Sequence, residues 1–305
     1  MTVYDTIRPL LPEGMVFANE PMSRHTSFKI GGPAEVYVTP ENNLQMSEVW
    51  KACLQAGYPM TVLGGGCNVL VADKGIKGVV IATNRMNHTS VANACITAGC
   101  GTKLARLADA AYNAGLAGLE FVSGIPGTVG GAVFMNAGAF GHNIQDVCES
   151  AEVLLPDGNI VSYTCEQINF GYRASRFQTE NAIITSATFI LTPSKPEEIK
   201  AKTLKLNTHR RDSQPLCYPS AGSAFKRPAK EGFYAAKLID DCGLKGFTIG
   251  GAQVSEKHAG FIVNKGNATA ADVLALMEAI REKVHSAYGI WLEPEVQMLG
   301  EGGIG

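Results

Sequence analysis

The sequence predicts an α+β fold divided into more than one domain, and three observations carry that prediction. The front of the chain runs strand, helix, strand and then enters a glycine-rich loop with no helix behind it. Pro193 and Pro196 interrupt the pattern, and a charged helix and an irregular basic stretch follow them. The last third carries its own long helix and a closing strand, so it reads as a separate α+β unit. A length of 305 residues fits two or three domains, each around its own core.

In order, Ala34 to Thr39 alternates like a strand and stops at Pro40. A helix is expected from Asn43 to Ala56, with Leu44, Cys53 and Leu54 available for a buried face and Gly57 as the stop. Met60 to Leu63 is a strand entering the loop Gly64-Gly65-Gly66-Cys67-Asn68, and more strand follows at 69–73 and 79–82. Thr102 to Asn113 is helical by its apolar spacing, with Thr102 as N-cap and Gly115 as C-cap. A second glycine-dense segment covers 123–141. Short strands around Ala151–Leu155 and Asn159–Tyr163 are joined by the turn Pro156-Asp157-Gly158, and Ala182 to Leu191 is another strand. Helices are then expected from Glu197 to about Thr208 and from Phe233 to Cys242. The strongest helix runs from Thr269 to Tyr288: Thr269-x-x-Asp272 caps it, Val273, Leu276, Met277, Ile280 and Val284 line one face, and Gly289 ends it. A final strand is expected from Ile290 to Leu299.

The bulk numbers exclude several classes. Hydrophobic residues make up 46% and charged residues 18%, a globular balance. A net charge of −2 argues against nucleic acid or an anionic membrane as the principal partner. No apolar run reaches the roughly 18 residues of a spanning helix, and the N-terminus lacks the basic start and apolar core of a secretory signal. The expectation is a cytoplasmic monomer. None of the eight cysteines stands in a C-x-x-C spacing, so no metal site is expected and reduced thiols are the reading.

The glycine segments are the chemical signal. Between Phe121 and Gln145 there is no Asp, Glu, Lys or Arg, so an anion held there must be bound by main-chain N–H groups that glycine allows to converge. The pyrophosphate of a cofactor suits that. A Rossmann fingerprint is weak here, because no helix opens after Gly66 and the third glycine is missing at position 69. Neither segment ends in Gly-Lys-Ser/Thr, so a P-loop is worse supported.

Three polar clusters lie elsewhere: Phe170-Gly171-Tyr172-Arg173-Ala174-Ser175-Arg176-Phe177, His209-Arg210-Arg211-Asp212 through Ser223, Phe225 and Pro228, and Glu293-Pro294-Glu295-Val296. Singly, each has a plain explanation as a solvated turn or strand residue. With His25-Thr26-Ser27-Phe28, Gly64 to Asn68, Ser123-Gly124-Ile125-Pro126-Gly127 through Asn136 and Gly138, and Lys257-His258-Ala259-Gly260-Phe261, they occur in the order found in UDP-N-acetylenolpyruvoylglucosamine reductases. These are bacterial flavoenzymes of peptidoglycan precursor synthesis, serving cell wall biogenesis, cell shape and cell division. The chain resembles that family over about residues 20–300.

The resemblance implies a two-subdomain FAD-binding fold of the vanillyl-alcohol oxidase/p-cresol methylhydroxylase type plus a C-terminal α+β substrate-binding domain. The expected boundaries are 1–83, with 293–305 returning to it, then 84–195 and 196–292. It places FAD against Gly64, Gly65, Gly66, Cys67, Asn68, Ser123, Gly124, Ile125, Pro126, Gly127, Gly130, Gly131, Asn136 and Gly138. It also implies NADPH as hydride donor and a UDP-sugar enolpyruvyl ether as substrate, which takes hydride at C3 and a proton at C2. Arg173 and Glu295 match the family positions that stabilise the enolate, and Ser223 matches the proton donor. Pattern alone leaves Glu293 and Glu295 both available; Glu295 is chosen because it directly precedes Val296 of the motif. Tyr172 flanks the catalytic groups, while Arg210, Arg211, Lys226 and Arg227 are basic enough to hold the UDP pyrophosphate. Some relatives carry Asn where Arg227 stands, and His258 is read as structural. Two alternatives stay open: a flavin-dependent oxidase of the same fold, and a nucleotide-sugar binding protein without catalysis.

Overall fold

The computed structural model describes residues 2–300. The backbone divides into two compact units. The first comprises the residues up to Ala18, Val36–Gly65 and Gly78–Arg210; the second comprises Asn19–Glu35, Gly66–Lys77 and the chain from Arg211 onward. The division falls inside the first glycine loop, between Gly65 and Gly66.

The helices are α1 Val3–Ile7, α2 Asn43–Ala56, α3 Leu104–Asn113, α4 Val129–Phe134, α5 Cys165–Ile168, α6 Pro196–Ser213, α7 Ala235–Asp241 and α8 Ala270–Tyr288. Helix α2 begins where Asn42 Oδ1 accepts the Gln45 N–H at 3.0 Å and ends at Gly57 in the left-handed region, φ 69°. Its buried face is Met46, Val49, Trp50 and Cys53. That i, i+3, i+4, i+7 stripe corrects the expected face: Leu44 and Leu54 point outward and are 70% and 43% exposed. Helix α3 starts one residue later than expected, with Lys103 and not Thr102 at the N-cap, and it ends with Ala114 and not Gly115 at the C-cap. The Thr102 hydroxyl is instead committed to the His88 carbonyl at 3.1 Å.

Two sheets organise the first part of the chain. A four-stranded sheet has the order Val16–Pro21, Pro33–Val38, Ile76–Ala82, Met60–Leu63, the last two parallel. A five-stranded antiparallel sheet has the order Ile160–Thr164, Cys148–Leu154, Ile183–Ile190, Cys95–Gly99, Thr89–Ala92. The core of the first unit gathers Trp50, Ile96, Leu104, Phe121 and Phe189.

The second unit has its own core around Phe28, Leu70, Ile239, Leu276 and Ile280. Helix α8 forms as the sequence predicts: Thr269 and Asp272 make a reciprocal capping box, the five expected apolar residues are buried, and Gly289 closes it at φ 68°. A second acid joins from a distant loop. Asp73 accepts the Ala270 and Ala271 N–H groups at 2.8 and 3.0 Å, setting negative charge where the helix dipole favours it. The expected closing strand is shorter than predicted: only Gln297–Leu299 is strand, paired parallel to Val69–Val71. Pro294 lacks the N–H a continuous ladder needs, and its segment contributes one isolated bridge to Phe225.

Cys53, Cys100 and Cys148 are buried thiols, and burial pushes their pKa values up to about 11, about 12 and about 12. Cys217 is exposed. Among the described residues, no helix is long and apolar enough to cross a membrane.

Candidate functional site

The second glycine segment belongs to the first unit and is less irregular than its composition suggests. Residues Val129–Phe134 wind into α4, whose N-terminal amides are already used: Val129 N–H donates to Thr102 O at 2.9 Å and Gly130 N–H to Cys100 O at 2.8 Å. The single turn of glycine-rich helix was not legible from propensity, because Gly is the poorest helix former after proline. The two glycine segments approach each other at Gly64, where a Cβ would come 2.7 Å from Thr128 Oγ1. That hydroxyl is buried and has no hydrogen-bond partner among the described residues. Leaving such a group unmatched costs about 1–3 kcal/mol, so a ligand oxygen supplied beside Gly64 fits it. A side-chain-free backbone next to an orphaned hydroxyl leaves a hydrogen-bonding group ready for an oxygen-bearing ligand.

Helix α6 braces the start of this segment. Ser123 Oγ lies 2.8 Å from the Glu120 carbonyl and 3.1 Å from Asn207 Oδ1, its one proton shared between them, while a Cβ on Gly124 would meet Asn207 Oδ1 and Arg210 Cδ. Glu120 is 3% exposed; it accepts the Gly118 N–H and pairs with Lys202 Nζ at 3.1 Å. Asn207 lies within the helix the sequence predicts, but that helix ends near Thr208, whereas α6 continues to Ser213 and brings Arg210 onto the same helix as Asn207. The i, i+3 spacing of Asn207 and Arg210 on one helix face was the available signal. Burial lowers the Arg210 pKa, yet a guanidinium stays protonated. Arg210 therefore sets a cation beside Gly124, in the first unit and not among the basic residues of the second.

Arg173 stands at the tip of a two-residue hairpin. Gly171 and Ala174 exchange backbone hydrogen bonds at 2.9 and 3.3 Å, with Tyr172 and Arg173 between them. Arg173 takes φ 54°, a left-handed conformation that costs a non-glycine residue about 1–2 kcal/mol. Side chains hold it there. Asn136 Nδ2 donates to Gly171 O at 2.9 Å, Ser175 Oγ to Phe134 O at 2.8 Å and Gln178 Nε2 to Arg173 O at 2.9 Å. Arg173 Nη2 reaches back to Gly138 O at 3.4 Å, and its guanidinium lies 5.2 Å from the Tyr172 ring centroid. Asn136 itself is fixed by reciprocal bonds with Gln145, at 2.8 and 3.1 Å. The glycine segment thus carries the arginine.

Ser223 and Glu295 both lie in the second unit, on one ladder of main-chain bonds. Ser223 bridges to Phe261, Ala224 N–H donates to Gly260 O at 2.8 Å, Glu295 N–H donates to Ala224 O at 2.9 Å, and Lys226 N–H donates to Glu293 O at 2.8 Å. The segment 223–226 is the middle rail. Asn68 of the first glycine loop fastens the outer one: its Nδ2 donates to Glu295 O at 3.1 Å and its carbonyl accepts the Gln297 N–H at 2.9 Å. The two acids differ in surroundings. Glu293 is 69% exposed and pairs with Lys226 Nζ, whereas Glu295 is half-buried.

Of the basic residues expected to hold a pyrophosphate, Lys226 is therefore engaged by Glu293, and Arg227 lies 4.8 Å over the Tyr234 ring. Arg211 makes a 3.7 Å contact with Asp212 in which both side chains are exposed. Such a pair is worth about 0–1 kcal/mol and leaves the arginine available to a stronger anion.

Residues 34–164 match a family model described as an FAD binding domain, and residues 214–299 match one described as the C-terminal domain of UDP-N-acetylenolpyruvoylglucosamine reductase. The first match spans both glycine segments. A UDP-N-acetylenolpyruvoylglucosamine reductase of Syntrophomonas wolfei is 46% identical over 98% of this chain and 100% of its own length. One of Caldanaerobacter subterraneus is 47% identical over 97% of this chain and 98% of its own. The chain belongs to the UDP-N-acetylenolpyruvoylglucosamine reductase family. The crystal structure of the Thermus caldophilus reductase superposes with a TM-score of 0.80 at 36% identity, covering 92% of this chain and 97% of that one. A Phl p 4 variant described as a glucose oxidase matches at TM-score 0.50 and 14% identity over 64% of this chain and 45% of its own, a likeness of fold alone. The fold is thus the two-subdomain FAD-binding type joined to the reductase family's C-terminal α+β domain, as the sequence resemblance implied.

Proposed function

We propose that Arg173, Ser223 and Glu295 carry the charge and proton chemistry of the family reaction in this chain. That reaction is the NADPH-dependent, FAD-mediated reduction of UDP-N-acetylenolpyruvoylglucosamine to UDP-N-acetylmuramate in peptidoglycan synthesis, and family membership makes the chain an FAD-dependent oxidoreductase of this kind. FAD, held by the glycine segments, would supply the hydride that C3 of the enolpyruvyl group receives, with NADPH as its source. Hydride at C3 and a proton at C2 together add two hydrogens across the double bond. As C3 is reduced, negative charge spreads over C2 and its carboxylate. Arg173 neutralises it, a contribution on the order of 10²–10³ in rate, and Glu295 holds the same group. Ser223 gives the proton to C2; a serine hydroxyl is a weak acid, but a carbanionic carbon is basic enough to take its proton.

The observation that supports these assignments is that two of the three are tied to a glycine segment within their own unit, Arg173 through Asn136 and Gly138 and Glu295 through Asn68, while Ser223 adjoins Ala224, whose carbonyl takes the Glu295 N–H. In this reading Gly64, Thr128 and the segment from Ser123 to Gly138 hold the FAD phosphates, with Arg210 supplying a cation. Tyr172, Arg211, Lys226 and Arg227 serve the UDP-sugar, Lys226 exchanging Glu293 for a phosphate. The three-part division at about 83 and 195 is supported by the two large sheets, which draw on 16–82 and 89–190 respectively. The return of 293–305 is supported by the pairing of Gln297–Leu299 with Val69–Val71; residues 301–305 lie outside the described residues. Action as a cytoplasmic monomer, without nucleic acid or membrane, belongs to the same reading.

The test is to purify the protein, assay it for FAD and follow NADPH oxidation with and without the UDP-enolpyruvyl sugar. Oxidation that ignores the sugar overturns the reading.

A further inference from the structure

The ladder that carries Ser223 has an outer rail, the turn 255–261, and that turn is built around one imidazole. Ser255 Oγ, on a residue 3% exposed, accepts the Lys257 and His258 N–H groups at 3.2 and 3.3 Å, and Ser255 N–H donates to Phe261 O at 2.9 Å. Phe261 N–H donates to His258 O at 3.0 Å. The Gly260 N–H donates to His258 Nδ1 at 3.2 Å, so this nitrogen presents its lone pair and the ring carries its proton on Nε2. The imidazole stands edge-on to the Phe261 ring, with centroids 5.0 Å apart at 77°. A Cβ at position 260 would come 3.0 Å from His258 Cε1 and 3.1 Å from Ala236 Cβ, so the turn closes on the ring without room for a side chain. Burial, with the charge of Lys245 adding to it, holds the His258 pKa below its ordinary value and keeps the ring an acceptor.

The residue that hydrogen-bonds the imidazole also presents the rail to the catalytic strand, through the next peptide along. Gly260 gives its N–H to His258, and its C=O takes the Ala224 N–H, one residue from Ser223. Phe261, the other wall of the imidazole, is the residue to which Ser223 bridges. We propose that His258 is a positioning residue for Ser223: its Nδ1 lone pair fixes the 259–260 peptide, its own carbonyl holds the N–H of the 260–261 peptide, and Gly260, pinned on both sides, sets where the Ser223 hydroxyl stands when it donates to C2. The proposal rests on Ser223 as proton donor.

The experiment separates the two half-reactions on the FAD-loaded enzyme by stopped flow. NADPH bleaches the flavin, and the UDP-enolpyruvyl sugar then restores its colour. His258→Phe keeps ring shape but loses the acceptor; His258→Asn offers Oδ1 at nearly the place of Nδ1. Flavin bleaching in His258→Phe should match the unmodified enzyme, while recolouring slows by on the order of tenfold to a hundredfold, the scale of a small misplacement. His258→Asn should recover most of that loss, and adding His258→Phe to Ser223→Ala should slow recolouring no further. Equal recolouring in His258→Phe and unmodified enzyme, equal slowing in the Phe and Asn variants, or equal slowing of both half-reactions overturns the proposal. Should His258→Phe fail to fold, the histidine ¹⁵N spectrum of the unmodified enzyme decides, since a proton on Nδ1 of His258 also overturns it. Ser223→Ala alone recolouring at the normal rate sinks the proton-donor reading instead, an outcome the His258 variants do not produce.

Discussion

Arg173 and Ser223 are held in place by opposite strategies. The hairpin of Arg173 is strained at φ 54° and depends on side chains reaching in from around it, those of Asn136, Ser175 and Gln178. The strand of Ser223 is relaxed and held on both edges by main-chain bonds, to Gly260 on one side and to Glu293 and Glu295 on the other. A left-handed arginine persists only where its neighbours over-determine it. A main-chain ladder survives the loss of any one side chain. The first unit should therefore be brittle to side-chain truncation, and the second tolerant of it except at the groups that do the chemistry and at His258, where a side chain pins the rail itself.

The largest expected effect falls on the two groups that do the chemistry. Ser223→Ala should slow substrate-dependent flavin reoxidation by about 10²–10⁴ and Arg173→Ala by about 10²–10³, both leaving FAD content and flavin reduction by NADPH unchanged. A visible spectrum and stopped-flow traces check this.

The comparison itself is broken or sharpened by an asparagine pair. Asn136→Ala removes the bonds to Gly171 and Gln145 and puts alanine at φ 43°, so it should cost about 1–3 kcal/mol of stability and lower both FAD affinity and turnover. Asn68→Ala removes one side-chain bond to Glu295 O while the Glu295–Ala224 bond persists, and should change turnover only a few-fold, about 1 kcal/mol or less. Equal losses in urea melts and in turnover would erase the distinction.

Lys202→Met leaves the buried Glu120 carboxylate with the Gly118 amide as its remaining named partner. The lysine is half exposed, so the expected loss is modest, about 1 kcal/mol, read as a shift in urea midpoint and as weaker FAD binding through Ser123. The smallest effect is expected in acid. Hydrogen bonds from Thr269 and then Gly251 hold the Asp272 pKa below 3.8. A depressed pKa contributes stability that is present above the unfolded value and lost as pH falls through the folded one. The second unit should lose this contribution only below about pH 4, and Asp272→Asn should flatten that limb of a pH-stability curve.

What the sequence made legible follows the same contrast. Helix α8 could be read completely, since its capping box, apolar stripe and terminal glycine all agree. The bounds of α2 could be read as well, but Leu44 and Leu54 drew attention from the better stripe on Met46, Val49, Trp50 and Cys53. The turn of helix at Val129–Phe134 runs against glycine propensity and is imposed by packing on Cys100 and Thr102. Motif resemblance singled out Arg173, Ser223 and Glu295, but not what supports them. The left-handed backbone at Arg173 and the grip of Asn207 on Ser123 depend on residues far apart in sequence, and the lone pair on His258, though met by Gly260 two residues on, is set by how the turn folds and not by residue type.

The thiols offer a practical handle. Cys53, Cys100 and Cys148 are shielded and stay protonated at neutral pH, while Cys217 stands in solvent. A maleimide dye added at limiting stoichiometry should tag Cys217 first, placing a fluorophore two residues from Pro219, whose carbonyl accepts the Asn264 N–H. The sequence thus supplies its own attachment point for energy transfer to the flavin, without an engineered cysteine.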